Sequence, residues 1–294
     1  MKHFNKVVPK IELGTLTNNE KIAALLRHGR GISGISILLI IIFLATAADF
    51  LSTYKCEEVD PASRLLPPSF EHPFGTDHLG RDVFTRLIHG ARIAIWVGIL
   101  VVLIEAVIGV PLGLIAGYYN GLVDKFISAL TDMIWALPPI VLALAIITIL
   151  GPGLTNAVIA VAAVSWAPYA RIVRAKTQSL VSREFVLAAR AIGEDSISIM
   201  LRYILPNLAP SIVVLATLTI PSAILYTTAL SFLGLGAQPP TPDWGAMLSE
   251  AKDYILIAPW CSVIPGIFIT ITALGFNLLG DALRDSLDPK LKVG

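Results

Sequence analysis

The chain has 294 residues, of which 55% are hydrophobic and 15% are charged, and its mean hydropathy is +0.76. These values exclude a water-soluble domain of ordinary composition. The net charge of +1 lacks the basic excess that a nucleic-acid-binding surface normally carries, so no nucleic-acid partner is expected. Composition therefore predicts a protein that lies in a membrane.

Six apolar runs of roughly 18 to 25 residues are each long enough to cross a bilayer as a helix. They lie near residues 32–52, 93–117, 127–150, 153–170, 211–235 and 257–280. The first run contains a cleavage-like Ala-Thr-Ala string at residues 45–47, but the 31 residues before it are too long for an ordinary signal peptide, so we expect a retained helix. The sequence thus predicts an all-α polytopic membrane protein with six transmembrane helices.

Lysine and arginine are distributed unevenly between the two sides of these spans. Sixteen lie at the two ends of the chain, in residues 171–210 and in the short loop with Lys125, against six on the other side. Because positively charged short loops stay in the cytoplasm, both termini are predicted to be cytoplasmic. The predicted organisation is a cytoplasmic segment (1–31), a first transmembrane helix (32–52), an extracytoplasmic loop (53–92), a five-helix core (93–280) with a cytoplasmic loop at 171–210, and a cytoplasmic tail (281–294).

Three features of the extracytoplasmic side invite a functional interpretation. Apolar residues between Val83 and Ala91 repeat at helical spacing, which predicts an interfacial helix that contacts a delivering protein or only sets the angle of span two. Cys56 and Cys261 both fall near this side, so one disulfide remains open. Residues of metal-binding type lack a spacing that would focus them, so no metal site is predicted. They are His72, Asp77, His78, Asp82 and His89.

Glu105 lies near the middle of span two, where an ionisable side chain is by default a functional hypothesis. One interpretation places it on the solute path, where it would recognise a cationic group such as a peptide amine. The other is structural, with the carboxyl protonated or hydrogen-bonded to a neighbouring helix.

The cytoplasmic loop contains the most informative stretch of the sequence. Residues 182–193 predict a short helix with Phe185, Ala188, Ala189 and Ile192 on one face and Gly193 as its C-terminal cap. Residue 195 is an aspartate that suits the N-cap of a second amphipathic helix, which the proline at 206 is expected to end. This pair suits either a docking element for another protein or an interfacial helix that rests on lipid headgroups.

The order Ala188-Ala189, Gly193 and residues 203–206 (Tyr-Ile-Leu-Pro) resembles the EAA loop of ABC importer permeases. Leu187 occupies the glutamate position of that loop and Tyr203 its usual isoleucine, and Glu184 is a candidate substitute one turn earlier. Strings at residues 72–82, 233–245 and 277–289 resemble the second permease subunit of dipeptide, oligopeptide and nickel importers. The resemblance covers residues 65–294.

This resemblance implies a type I permease fold in the bacterial inner membrane, with a homologous second permease, two cytoplasmic ATPases and an extracytoplasmic solute-binding protein as partners. The implied ATPase-coupling residues are Glu184, Phe185, Ala188, Ala189, Arg190, Ile192, Gly193, Leu205 and Pro206. The predicted contacts of the binding protein are Asp77, Arg81, Asp82, Pro240, Asp243 and Trp244. The expected solutes are dipeptides or oligopeptides, and nickel, a metal chelate or glutathione remains open.

The chain is not expected to be an enzyme. None of its lysines follows a glycine, so it lacks the Gly-Lys pair of a P-loop, and ATP and magnesium are expected on the partner ATPases. An intramembrane serine protease is disfavoured because all five histidines lie outside the spans. An ion-coupled secondary transporter or channel is the main rival, since bent spans and Glu105 would suit it. Such a protein does not need a forty-residue cytoplasmic docking loop.

Overall fold

The computed structural model describes residues 29–287, and the regular secondary structure of this part of the chain is helical, as predicted. The helices are α1 (Gly29–Thr46), α2 (Ala48–Leu51), α3 (Val83–Tyr119), α4 (Gly121–Trp135), α5 (Pro139–Leu150), α6 (Leu154–Ser165), α7 (Ala167–Val181), α8 (Glu184–Ala191), α9 (Ser196–Ser198), α10 (Leu205–Phe232), α11 (Trp244–Ala251) and α12 (Trp260–Leu287). A π-helical segment, Ile199–Ile204, joins α9 to α10. The predicted N-terminal segment and most of the predicted tail lie outside the described residues.

The described residues contain five helices or joined helix pairs that are long and apolar enough to cross a membrane, and a bent pair that makes a sixth. That pair is α4 and α5, which meet at 88°. The predicted span over 127–150 is therefore two helices joined at a sharp bend. Two consecutive prolines, Pro138 and Pro139, explain the break, because the residue before a proline disfavours the helical conformation while proline suits the first turn of the next helix.

The backbones of α3 and α7 lie unusually close together. Glycines at positions 109, 113 and 117 of α3 face α7 at intervals of four residues. A Cβ atom on Gly113 would lie 2.6 Å from the carbonyl oxygen of Ala170, so a larger residue would push the helices apart. Small residues at such crossings let membrane helices pack backbone to backbone.

The first helix completes the bundle at one side. Leu38, Ile41 and Ala45 of α1 belong to the same buried cluster as Ile269 and Phe276 of α12. The exposed side chains of α1 are mostly apolar, as expected for a helix that faces lipid. One face of α1 is thus held by the bundle.

Helix α3 differs from the prediction at its beginning. The predicted interfacial helix at 83–92 is not a separate element but the first turns of a continuous 37-residue helix. Val83, Leu87 and Ala91 are buried in the bundle, which explains why this segment does not lie along the membrane surface. At 1.5 Å per residue α3 is about 56 Å long, well beyond the roughly 30 Å of a hydrocarbon core.

Candidate functional site

The predicted docking element folds into α8 and a sharp turn. Gly193 has a φ of 88°, a left-handed conformation that glycine adopts without strain, and it ends the helix. Two residues later, the carboxylate of Asp195 accepts hydrogen bonds of 3.1 Å from the backbone N–H groups of Ile197 and Ser198. This N-cap begins the next helical segment.

Helix α8 has one anchored face and one free face. Val186 and Ala189 are buried against Ile199 and Ile204 in a shared apolar cluster. The rest of its surface is exposed, and the apolar side chains there are Phe185, Leu187, Ala188 and Ala191, followed by Ile192 at the C-cap. Ile192 is 76% exposed, so an exposed apolar surface lies beside the packed inner face.

The structure divides the predicted coupling residues into two groups. Those with exposed side chains or backbone are Glu184, Phe185, Ala188, Arg190, Ile192, Gly193 and Pro206. Ala189 is buried and Leu205 is partly buried, so these two hold the loop to the bundle, and their coupling role stays a prediction. The guanidinium of Arg190 lies 4.9 Å from the ring centre of Tyr118 at the end of α3, which adds a second anchor.

Pro206 does not end the second helix, contrary to the sequence-based expectation. The N–H of Leu205 donates to the carbonyl of Met200, five residues earlier, at the end of the π-helical segment. Pro206 then lies in the first turn of α10, where its missing N–H has no required partner. The wider turn thus lets the chain continue through the proline into a long span.

Two ion pairs join α4 to α7 near this loop. Arg174 donates to Asp124, with an Nη2–Oδ2 distance of 2.7 Å, and Arg171 pairs with Asp132. Arg171 also lies over the ring of Trp135, 4.4 Å from its centre. These side chains are partly exposed, so each pair contributes modestly to stability.

The opposite end of α3 carries a buried charge network. Arg81 donates to Asp77 at 2.7 Å and to Glu250 at 2.6 Å, while one nitrogen of Arg86 contacts the same two carboxylates at 2.6 and 2.9 Å. Arg86 is only 1% exposed, and its other two nitrogens have no hydrogen-bond partner among the described residues. Two arginines and two carboxylates therefore tie α3 to α11.

Trp244 and two caps complete this end of the bundle. The indole N–H of Trp244 donates to the carbonyl of Leu87 at 2.9 Å. Asp243 caps α11 through the N–H of Ala246, and Asp82 caps α3 through the N–H of Thr85. The network, the caps and Trp244 are called the α11 end below, and α8 with the π-helical segment is called the α8 end.

The residues predicted to contact the binding protein are mostly buried within this subunit, and the contact itself stays a prediction. Of the six residues, only Pro240 is exposed. The other five are buried: Asp77, Arg81, Asp82, Asp243 and Trp244. Each of the five has an internal hydrogen-bond partner and little surface to offer a docked protein. Sequence reasoning also missed Arg86 and Glu250, because their 164-residue separation hides the pairing.

The charge network also determines the ionisation of its members. Burial opposes ionisation of Asp77, but Arg86 and Arg81 outweigh it and hold the pKa of that carboxyl below its ordinary value. Burial lowers the pKa of His78 and keeps its imidazole neutral. Donor atoms of Asp77, His78 and Glu250 lie within 4.8 Å of one another, but both carboxylates already accept hydrogen bonds from arginine, which suits an ion-pair network better than a cation site.

The two cysteines and Glu105 are the remaining residues that the sequence singles out. Cys56 and Cys261 are free thiols. Glu105 is 2% exposed and lies one turn before Gly109, on the face of α3 that packs against α7. Its Oε2 atom has no partner among the described residues. Since the side chain is enclosed within the subunit, this conformation does not present it to a solute.

Comparison with known proteins identifies the family. The family described as binding-protein-dependent transport system inner membrane component matches residues 109–293. The chain is 46% identical over 273 residues to the dipeptide transport system permease protein DppC of Alkalihalophilus pseudofirmus, which covers 93% of this chain and 90% of the relative. It is 45% identical over 267 residues to the glutathione transport system permease protein GsiD of Pectobacterium atrosepticum, with 90% and 88% covered.

Two solved structures share the fold. Two inward-facing crystal forms of the MetNI methionine ABC transporter align with TM-scores of 0.56 and 0.53, at 20% and 22% identity. Each covers 69% of this chain and at least 96% of the matched chain. Together with the family match and the relatives, the helical bundle leads to one conclusion: the chain belongs to the family of binding-protein-dependent transport system inner membrane components and is a multi-pass permease subunit of an ABC importer.

Proposed function

We propose that this permease subunit imports short peptides and receives the energy of ATP hydrolysis through α8. One observation carries the coupling role: α8 exposes Phe185, Ala188 and Ile192 while its other face is packed against the bundle. A helix held in this way transmits a push from a docked protein, whereas a loosely attached helix would absorb it.

The proposed orientation places α8 and both termini in the cytoplasm of a bacterium, with the α11 end on the extracytoplasmic side. The uneven distribution of lysine and arginine supports it. The α8 end then faces ATPases, and the α11 end faces the solute-binding protein.

The proposed partners are a homologous second permease, two cytoplasmic ATPase subunits and an extracytoplasmic solute-binding protein. ATP and magnesium bind the ATPases, because the sequence of this chain lacks a P-loop. The printed functions of the relatives, dipeptide transport and glutathione transport, support a small peptide as the solute. Dipeptides are our first choice, and glutathione, itself a peptide, is the second.

In the proposed mechanism, closure of the ATPase dimer moves α8 and the segment that follows it. The movement passes through Ile199 and Ile204 into α10, and through the Arg190–Tyr118 contact into α3. These spans then tilt between inward-open and outward-open states, so the coupling is mechanical.

The test uses the assembled transporter in proteoliposomes with a radiolabelled dipeptide. The change Ile192→Glu places a charge in the proposed contact, and we expect ATP-dependent uptake to fall at least tenfold with weaker co-purification of the ATPases. Ile197→Glu is the matched control, because Ile197 is similarly exposed but lies beyond the turn at Gly193, and it should transport normally. Wild-type uptake by Ile192→Glu would contradict the proposal.

The rival mechanism and the choice of solute need separate measurements. An ion-coupled carrier would keep its uptake when the ATPases are inactivated and lose it when the ion gradient is collapsed. The ABC mechanism predicts the reverse. Competition by an excess of unlabelled dipeptide, glutathione or Ni²⁺ ranks the solutes, and inhibition by Ni²⁺ alone would contradict a peptide importer.

A further inference from the structure

The segment that joins α8 to its transmembrane helix has an unusual geometry. Ile199–Ile204 is π-helical, between the α-helical turns of α9 and α10. Its hydrogen bonding shifts by one residue, so that the N–H of Leu205 donates to the carbonyl of Met200. Such π-turns are rare, and they are frequently found at functional sites.

Burial of the side chains selects this geometry. Ile199 and Ile204 are both buried in the cluster that anchors α8. In an α-helix, residues five apart are rotated by about 140°, so only one of them could face that cluster. The wider π-turn brings both to the same face. Packing therefore favours the π register, whereas an unconstrained backbone favours the α register.

The flanking residues affect the balance between the two registers. Pro206 has no N–H to offer the carbonyl of Arg202, so an α-helical ladder through this point would lack one hydrogen bond. The side-chain amide of Asn207 donates to the carbonyl of Tyr203 at 2.6 Å and supports the turn locally. On the other side, Gly193 has a positive φ and no atoms near the place of a side chain, so the connection to α8 can rotate.

We infer that Ile199–Ile204 is a register switch that exchanges between π and α geometry and thereby rotates α8 relative to α10. In the α register Ile199 would leave the buried cluster, and α8, which packs on it, would turn as well. The inference rests on the proposed role of α8 as the ATPase contact, since binding of the ATPases would supply the energy for the exchange.

Deletion of Leu201 tests the switch. Leu201 is exposed, and its removal shortens the spacing from Ile199 to Ile204 to four residues, so a plain α-helix would then bury both. The deletion should hold this segment in the α register without loss of a buried side chain. We expect the assembled transporter to hydrolyse ATP but to import at least tenfold less dipeptide per ATP. Leu201→Ala is the matched control, since it removes most of the side chain but keeps the length.

A distance measurement keeps the test decisive if the deletion variant fails to assemble. Spin labels on exposed positions of α8 and α10, introduced as Leu187→Cys and Val213→Cys after removal of the native cysteines, report the rotation by electron paramagnetic resonance. The distance should change between nucleotide-free and ATP-trapped transporter. An unchanged distance, or wild-type coupling in the deletion variant, would overturn the switch. Wild-type uptake by the Ile192→Glu variant would instead rule out α8 as the ATPase contact. Failure of the register switch and failure of the proposed function are therefore distinguishable.

Discussion

The two ends of the bundle are built in opposite ways. At the α11 end, Arg86 and Trp244 are fully buried, and ion pairs join helices that are far apart in sequence. At the α8 end, the ion pairs are partly exposed, one face of α8 is free, and a π-turn interrupts the helix. The difference indicates that the α11 end holds α3 and α11 in one fixed arrangement, while the α8 end can move. A transporter needs a fixed region and a movable region, because one part of the protein can transmit a movement only if another part stays in place.

Removal of Arg86 should have the largest effect on stability. Arg86→Ala leaves the buried Asp77 and the partly buried Glu250 with one arginine between them, and breaking a buried ion pair costs about 3–5 kcal/mol. Thermal unfolding of the purified complex in detergent measures the loss. If the Arg86→Ala variant unfolded at the wild-type temperature, the α11 end would not be the fixed part of the subunit.

Replacement of Trp244 should have the next largest effect. Trp244→Phe removes the hydrogen bond to Leu87 and leaves a small void, which together cost about 1–3 kcal/mol. Trp135→Phe is the matched control at the other end, where the indole is half exposed and the change should be small. Equal shifts in unfolding temperature for the two variants would remove the contrast between the ends.

The ion pair of Arg174 tests the other side of the comparison. Arg174→Ala breaks its contact with Asp124, but both side chains retain access to solvent, so the cost should be about 1 kcal/mol or less. The same unfolding experiment applies, at low and high salt. A loss as large as that of Arg86→Ala would show that the α8 end is as rigid as the α11 end.

The smallest expected effect concerns pH and the cap of α11. Burial raises the pKa of Asp243 above its ordinary value of 3.8, so the ionised form opposes folding at neutral pH and the penalty disappears as the pH falls below about 4. Asp243→Asn keeps a capping acceptor without the charge, so it should raise the free energy of unfolding at pH 7. The gain should vanish near pH 4, and a gain that is independent of pH would argue against burial as its cause.

Asp77 should respond to acid in the opposite direction. Its pKa is lowered by Arg86 and Arg81, so its contribution to stability is present above its ordinary pKa and is lost as the pH falls through the lowered value. The free energy of unfolding, measured as a function of pH for the wild-type protein and for Asp243→Asn, separates the loss of stability through Asp77 from the gain through Asp243.

Much of the fold could be predicted from the sequence because apolar length and charge placement are local properties. The six runs coincide with helices or helix pairs, and the end of α8 at Gly193 follows from the conformation that only glycine adopts easily. The break between α4 and α5 was not predicted, although two prolines stood at the point. Membrane helices often tolerate proline, so the residue alone does not distinguish a bend from a break.

The candidate site was predictable in position but not in orientation. A helical repeat places Ala188 and Ala189 on adjacent positions, and only packing decides that Ala189 faces inward. The pairing of Arg86 with Glu250 could not be inferred, because the sequence around an arginine gives no signal of a carboxylate 164 residues away. The π-turn at Ile199 also depends on tertiary packing, which overrides the local preference for an α-helix.

The length of α3 has a consequence for the size of the motion. Arg86 and Tyr118, which contact the fixed and the movable end, are about 48 Å apart along one helix axis. If the helix pivots at Arg86, a tilt of about 5° displaces Tyr118 by about 4 Å over that length. A rotation of α3 that is too small to disturb the packing around Arg86 therefore displaces Tyr118 by about the width of an amino-acid side chain.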